Sequence, residues 1–419
     1  MHDFTLKNRQ LYCEGVPIER IAKAIGTPVY VYSHRTLTEH FRKLQQAFRR
    51  IHPLICFSVK ANGNLAILKT LVRQGAGLDI VSGGELYKAL KAGCPPRRIV
   101  YASVGKRREE IRQALRAGIF CFNVESIPEL ETINEEAGRL RRHAPVALRI
   151  NPDVEAHTHR YITTGTAETK FGITLDVAER LLLRRRHEFR SIRLMGFHLH
   201  IGSQITTAAP FVAAIRRVGR LITRLRRRGI DIAWLNLGGG LGIVYKDERP
   251  QTAAAFARAI LPHLRPLRVK LILEPGRFIV GNAGILVTQV LYRKDAPGKR
   301  FLVVDAGMTD LIRPALYGAY HEVVPVAADG VSRRLETYDI VGPICESADV
   351  LARNRRLPRL AAGDHLAVLG AGAYGFVMAS NYNGQTRPAE VLVKGSRYAL
   401  VRRRETLGDL VRHEVAPRF

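Results

Sequence analysis

Residues 54–60 read LICFSVK, an apolar run closed by a lysine. Runs of the same kind return at GLDIVS (77–82), RIVYAS (98–103), IFCFNVES (119–126), VALRINP (146–152), LMGFHLHIG (194–202), WLNLGGG (234–240) and LILEPGR (271–277). Helical patterns such as GELYKALKAG (84–93) and RREEIRQALRAG (107–118) lie between them. Apolar strands alternating with helices predict a parallel sheet. Eight such units in about 250 residues match the closed (β/α)8 barrel, and a doubly wound open sheet is the alternative that the count leaves. The polar residues speak for the barrel. Lys60, Asp79, Glu125, Arg149, His200, Gly238 to Gly240, Glu274 and Arg277 all fall at the C-terminal ends of these runs. In a closed parallel barrel those ends share one face, and sites of this fold sit there.

The pattern changes after residue 280. GILVTQVLYRK (284–294), KRFLVVDAGM (299–308), TYDIVGPICES (337–347), HLAVLGAG (365–372) and AEVLVKGSRYALVRR (389–403) read as strands separated by turns. The expected fold class is α/β, a (β/α)8 barrel with a separate C-terminal all-β domain. Residues 34–280 form the barrel and 281–419 the β domain, which residues 1–33 join through PVYVYS (28–33).

Composition narrows the function classes. Of 419 residues, 46% are hydrophobic and 25% charged, which suits a globular chain and excludes a disordered or collagen-like one. No apolar stretch reaches 18 residues, so no membrane span is expected, and the N-terminus lacks the apolar core of a secretory signal. Lys plus Arg total 66 against 37 Asp plus Glu, a formal charge of +29. That invites a nucleic-acid reading. The arginines, however, lie on helix-like segments such as LLLRRRHEFR (181–190) and RLRRRG (224–229), without interleaved aromatics, and read as a solvated face with no nucleic-acid partner. Five widely spaced cysteines without a CxxC pair fit a reducing cytoplasm rather than a disulfide framework or zinc ribbon.

Several positions carry chemistry by type. Lys60 at a strand end faces a partly dry site, where a neutral amine forms a Schiff base with a carbonyl; taken alone it reads rather as a lysine reaching for water. GGGLG (238–242), following a strand and opening a helix, offers backbone N–H groups to an anion or makes a tight turn. EPGR (274–277) adds a guanidinium fork suited to phosphate or carboxylate. In this barrel, phosphate sites commonly use the loops after strands seven and eight, which Gly238 to Gly240 and Arg277 occupy. HLH (198–200) has metal-ligand spacing but lacks further ligands at other strand ends, so no metal is expected.

CFSVKANGN (56–64), GLDIVSGGEL (77–86), HTHRYITTG with KFGI (157–173), HLHIGSQ (198–204), LNLGGGLGI (235–243), EPGRFIV (274–280), DLIRPALYGAYHEV (310–323), GPICESAD (342–349) and GAYGFVMASNYNGQTRPAEVLV (372–393) occur in this order along nearly the whole chain. Together they resemble the bacterial diaminopimelate decarboxylases, pyridoxal-phosphate enzymes of the alanine-racemase-like fold type. The resemblance implies that Lys60 carries pyridoxal 5'-phosphate through a Schiff base, with Asp79 among the cofactor-binding residues. His200 stacks on the cofactor ring and Glu274 pairs with its nitrogen. Ser203, Gly238, Gly239, Gly240, Gly276, Arg277 and Tyr374 surround the phosphate. Arg277, Arg313, Tyr317, Glu346 and Tyr374 hold the substrate, and Cys345 is the proton donor. Lys60, Cys345 and His200 are the catalytic set. Cys345 and Glu346 reach the partner subunit's site in that family, which implies a homodimer with shared active sites.

The implied reaction converts meso-diaminopimelate to L-lysine and CO2, the last step of lysine biosynthesis. Its chemistry is consistent with these residues. A carboxylate at Glu274 favours a protonated ring nitrogen, which helps the cofactor accept the charge left at Cα. The distal head of the substrate is a carboxylate plus an ammonium, which Arg313 and Glu346 match. Ornithine offers only an ammonium there, and a buried arginine without a partner costs on the order of 3–5 kcal/mol. A decarboxylase of ornithine, arginine or carboxynorspermidine is the alternative within enzymes. A pyridoxal-phosphate carrier that kept the fold is the alternative outside them, and the presence of Cys345, Glu346 and Tyr374 counts against it.

Overall fold

The computed structural model describes residues 2–154, 170–327, 335–417 and 419. The HTHRYITTG part of the 157–173 motif, and most of the 153–172 loop, lie outside them. The chain divides into two compact units, one of Glu39–Ile243 with Arg249–Phe278, the other of Met1–Thr38, Val244–Glu248 and Ile279–Phe419.

The first unit is a closed parallel barrel. Its strands are β1 (Leu54–Ser58), β2 (Gly77–Ile80), β3 (Ile99–Tyr101), β4 (Cys121–Val124), β5 (Ala144–Asn151), β6 (Ile192–His198), β7 (Trp234–Asn236) and β8 (Lys270–Leu273). Each pairs with the next, and β8 returns to β1 through Ile272 opposite Leu54 and Leu273 opposite Ile55. Strands covered on both faces need apolar residues throughout, and every residue of β1 to β4 is buried.

The turns explain why strands give way to helices. Asn64, Ser82, Ser126, Thr174 and Thr252 each accept a backbone N–H from the first turn of the helix that follows, which satisfies donors that a helix start leaves orphaned. The helices are α1 (Leu65–Arg73), α2 (Gly83–Lys91), α3 (Arg108–Ala117), α4 (Ile127–Arg139), α5 (Leu175–Arg180), α6 (Ala209–Arg227) and α7 (Ala253–Leu264). Glu85 and Glu129 close the caps of α2 and α4 by accepting the N–H of Val81 and Glu125. The GGGLG stretch does not open a helix. Gly238 and Gly240 have φ of 65° and 101°, outside helical space, and α7 starts only after the Thr252 cap.

The second unit is built on a mixed sheet. Its strands are β9 (Gly284–Ala296), β10 (Lys299–Val304), β11 (Val323–Pro325), β12 (Leu335–Val341), β13 (Val350–Pro358), β14 (His365–Val368), β15 (Ala389–Lys394) and β16 (Arg397–Arg402). The order is β13-β12-β10-β9, then the strand Val29–Ser33, then β15-β16, with β14 joining β9 to β11. Val29–Ser33 runs antiparallel to β9 and parallel to β15. It buries Val29 and Val31 against Ile285, Val287, Val391 and Val393. Among the described residues no helix is long and apolar enough to cross a membrane.

Gly196 is a test of barrel closure. A Cβ there would lie 1.8 Å from the Trp234 carbonyl oxygen, backbone that cannot give way. Gly196→Ala is expected to lower stability to urea by about 1–3 kcal/mol or more. Gly105→Ala, where a Cβ meets nothing within 4 Å, should stay within about 0.5 kcal/mol of the parent.

Candidate active site

The C-terminal ends of the barrel strands bury polar residues that an apolar sheet would otherwise exclude: Ser58, Asp79, Asn123, Arg149, His198, Asn236 and Glu274. A buried polar group is tolerated when it is hydrogen-bonded, and each of these has a partner.

Lys60 sits one residue beyond Val59, in the turn that follows β1. Its Nζ donates to Asp79 Oδ2 at 2.7 Å, and Ser58 Oγ donates to the same oxygen at 2.7 Å. Asp79 is fully buried, whereas the Lys60 side chain keeps 34% of its exposure. Burial and the Glu274 charge push the Asp79 carboxyl up, against the opposing pull of Lys60 and Ser58. Asp79 Oδ1 is buried and receives no hydrogen bond.

Glu274 follows β8. Its Oε1 accepts Asn236 Nδ2 at 2.6 Å and Asn123 Nδ2 at 3.0 Å, and its Oε2 lies 3.1 Å from His198 Nε2. Burial pushes this carboxyl up. The His198 ring, the Lys60 charge and the Asn236 amide outweigh it and hold the group down at about 2, so Glu274 is an ionised carboxylate in a dry site.

His198 ends β6, and His200 lies beyond the strand. His200 Nδ1 takes the Gly239 N–H at 3.4 Å. Burial first, then the Arg149, Lys60 and His198 charges, push it well below its ordinary value against the opposing Glu274. Arg149 itself donates to Glu125 Oε1 at 2.7 Å. Among the described residues no group of three or more His, Cys, Asp or Glu side chains could hold a metal ion.

The glycines bring backbone together. A Cβ on Gly238 would stand 2.4 Å from Leu199 O, and one on Gly239 2.4 Å from Glu274 O. Gly276 packs against Ala61 and Ser58. Buried Arg277 donates through Nη2 to Ser203 Oγ at 3.0 Å. Lys60, Asp79, His200, Ser203, Gly238 to Gly240, Glu274, Gly276 and Arg277 thus occupy the barrel unit, where a primary amine, an ionised carboxylate and a Gly-Ser-Arg loop set coexist.

The other expected residues belong to the second unit. Arg313 is buried, with Nη1 2.9 Å from His321 Nε2 and its guanidinium 4.6 Å over the Tyr245 ring. His321 Nδ1 lies 2.8 Å from the Leu369 carbonyl, so Nδ1 carries the proton and Nε2 accepts from Arg313. Tyr317 is half-buried on the same short helix, Arg313–Tyr317. Tyr374 is half-buried with φ of 55°. Cys345 and Glu346 stand exposed on one loop. The Cys345 N–H donates to Asn383 Oδ1 at 2.9 Å, and Tyr382 Oη donates to Glu346 Oε1 at 2.7 Å. Asp349 braces the loop by accepting the N–H groups of Met308 and Ile344. The other four cysteines are buried, and burial raises each of their thiols.

Sequence reasoning passed over Asn123 and Asn236 around Glu274, weighed His198 only as a metal ligand, and passed over Tyr245 and His321 around Arg313. The signal for the first set was present: an amide inside each of the apolar runs IFCFNV and WLN.

The family described as pyridoxal-dependent decarboxylase, pyridoxal binding domain, matches residues 34–281. The diaminopimelate decarboxylase of Pseudomonas aeruginosa is 50% identical over 411 residues, covering 98% of each chain. The diaminopimelate decarboxylase of M. jannaschii in complex with L-lysine superposes with a TM-score of 0.93 at 38% identity, covering 100% of this chain and 99% of that one. The Helicobacter pylori enzyme with L-lysine gives 0.91 at 40% identity, covering 95% and 99%.

His200 supplies a pH test. Its folded-state value is depressed, so it is neutral in the fold and protonates on unfolding below its ordinary 6.5; its contribution is full above that value and is lost as pH falls. Between pH 7.5 and 5.5 the parent is expected to lose about 1 kcal/mol more stability than His200→Phe, measured by urea titration at each pH. Parallel losses would remove the neutral imidazole.

Proposed function

The chain belongs to the diaminopimelate decarboxylases of the pyridoxal-dependent decarboxylase family, and from that premise we propose that it converts meso-diaminopimelate to L-lysine and CO2. The observation that carries the reading at the site is the Lys60 amine held by the buried carboxylate of Asp79, with the buried Glu274 carboxylate near enough to feel its charge.

The residues fit pyridoxal phosphate. Lys60 offers a primary amine to the aldehyde, and Asp79 Oδ2 orients that amine. Glu274 offers an ionised carboxylate to a ring nitrogen, and His200 a neutral imidazole face. Ser203, Gly238, Gly239, Gly240, Gly276, Arg277 and Tyr374 are assigned to the phosphate, where the glycine backbone permits close approach and Arg277 supplies charge. When bound, pyridoxal phosphate supplies an electron sink for the pair left at Cα as CO2 departs. Glu274 keeps the ring nitrogen protonated by opposite charge. Cys345 Sγ returns one proton to Cα.

Arg313 is assigned to the distal carboxylate of the substrate and Glu346 to its distal ammonium, with Arg277, Tyr317 and Tyr374 completing the pocket. His321 and the Tyr245 ring fix the plane of the Arg313 fork, which favours a planar carboxylate over the lone ammonium of a diamine precursor.

The active species is read as a homodimer with shared active sites, in which the β domain of one copy completes the site of the other. The exposure of Cys345 and Glu346 in a single chain supports this, because proton return to Cα needs a site closed to water. Five free cysteines and a biosynthetic reaction suit the cytoplasm. The arginine-rich helix uses part of its charge within the fold: Arg217, Arg224 and Arg226 pair with Asp153, Glu179 and Asp231. That fits a solvated face rather than a nucleic-acid surface.

With excess cofactor, the parent should show visible absorption and release lysine from meso-diaminopimelate, and Lys60→Ala should do neither. Mixing inactive Lys60→Ala with inactive Cys345→Ala should restore about a quarter of parental activity, since half the dimers would be mixed and each would hold one intact site; no recovery under subunit exchange removes the shared site. Arg313→Ala should raise the KM for meso-diaminopimelate about tenfold or more with cofactor affinity unchanged, and an unchanged KM would reassign the distal carboxylate.

A further inference from the structure

The surroundings of Glu274 contain more than its charge requires. Three polar side chains on three strands, Asn123 on β4, His198 on β6 and Asn236 on β7, are each at most 1% exposed. Each sits in an apolar run where a leucine or valine would cost nothing in desolvation. All three converge on one carboxylate.

Their donor roles follow from the acceptor-only carboxylate they face and, for Asn236, from a second contact. Asn236 Oδ1 accepts the Gly238 N–H at 2.9 Å, so its Nδ2 is the end that faces Glu274. Asn123 faces an acceptor-only group and must present Nδ2; its own Oδ1 is buried and holds no hydrogen bond. His198 must present Nε2–H, and its Nδ1 likewise holds none. A carboxylate has about four acceptor places, two on each oxygen. Oε1 is filled by the two amides, and Oε2 has one place taken by His198.

We propose that Asn123, Asn236 and His198 are positioning residues for the cofactor ring nitrogen: together they fill three of the four acceptor places on Glu274 and leave one, on Oε2, for the ring N–H. This rests on the reading of the protein as a pyridoxal-phosphate enzyme. Without the Oε1 donors the carboxylate can turn, and the ring nitrogen loses a partner fixed in direction. The two asparagines also explain why an acidic side chain suffices in so dry a place, because donors to the charged form offset its burial.

Asn123→Leu is the test, since the Asn123 amide oxygen holds no hydrogen bond and the change removes only the donor. The first readout is the cofactor-free protein with 13C-carboxyl glutamate, the Glu274 signal being identified by its loss in Glu274→Gln. The parental signal should stay flat between pH 4 and 8, and in Asn123→Leu the midpoint should rise by about two units or more, far enough for the signal to move at the acid end of that window. The second readout is the protein loaded with pyridoxal phosphate. The pH dependence of its visible absorption should move in the variant, and kcat should fall about tenfold or more with KM for substrate within about threefold. A variant whose Glu274 titrates like the parent overturns the proposal. So does one whose Glu274 titrates higher while absorption and kcat remain parental. Should Asn123→Leu not fold, Asn236→Asp, which keeps the acceptor for Gly238 N–H and replaces the donor by an acceptor, must show the same two shifts. A parental protein that gives no visible absorption with the cofactor is a separate result that defeats the underlying reading as well.

Discussion

A carboxylate stripped of water at the end of the eighth strand is the constraint around which the barrel is arranged. Glu274 is 3% exposed, and hydrogen-bond donors from other strands, with the Lys60 charge, make its ionised form tolerable there. β4, β6 and β7 each deliver one. A flat open sheet would hold strands four and eight well apart, so the closure of β8 onto β1 is what lets one side chain gather donors from across the sheet. Lys60 and Asp79 enter the same arrangement from β1 and β2, joined through Ser58, whose Oγ also lies 3.0 Å from the Glu274 carbonyl.

Close backbone approach follows from the same closure. Leu199, Gly238 to Gly240 and Glu274 come from three successive strand ends, and side chains at the glycines would strike carbonyl oxygens. The glycine run therefore does two jobs that a sequence motif cannot separate. It lets three strand ends meet, and it leaves backbone where an anion can approach. The left-handed φ at Gly238 and Gly240 also explains why the chain wanders to Thr252 before α7 begins, rather than turning directly into a helix.

The second unit uses another strategy. Arg313 is buried against a histidine and a tyrosine ring, neither of which competes for its charge as a carboxylate would. These two neighbours orient its guanidinium. Cys345 contrasts with the four buried cysteines, which burial keeps protonated and inert. The loop that carries it is held by Asp349, a buried carboxylate satisfied by backbone N–H groups.

The sequence by itself determined the order of the barrel's strands and helices, their eightfold count, the change to strands and turns after residue 280, and the residue types that the chemistry needs. These are legible because hydrophobic period and capping residues act within a few positions of each other along the chain. The family was legible for a related reason: motifs such as CFSVKANGN, EPGR and GAYGFVMASNYN are contiguous. Tertiary structure decided the rest. Asn123, His198 and Asn236 lie 151, 76 and 38 residues from Glu274, and their shared task exists only once the barrel closes. Arg313 meets His321 within eight residues, but the ring of Tyr245 reaches it from a distant segment. The exposure of Cys345 against the burial of Cys13, Cys56, Cys94 and Cys121 is likewise invisible in a chain where all five are the same letter. Local interactions wrote the elements; electrostatics in a dry interior, which depends on distance through space, selected which polar residues act together.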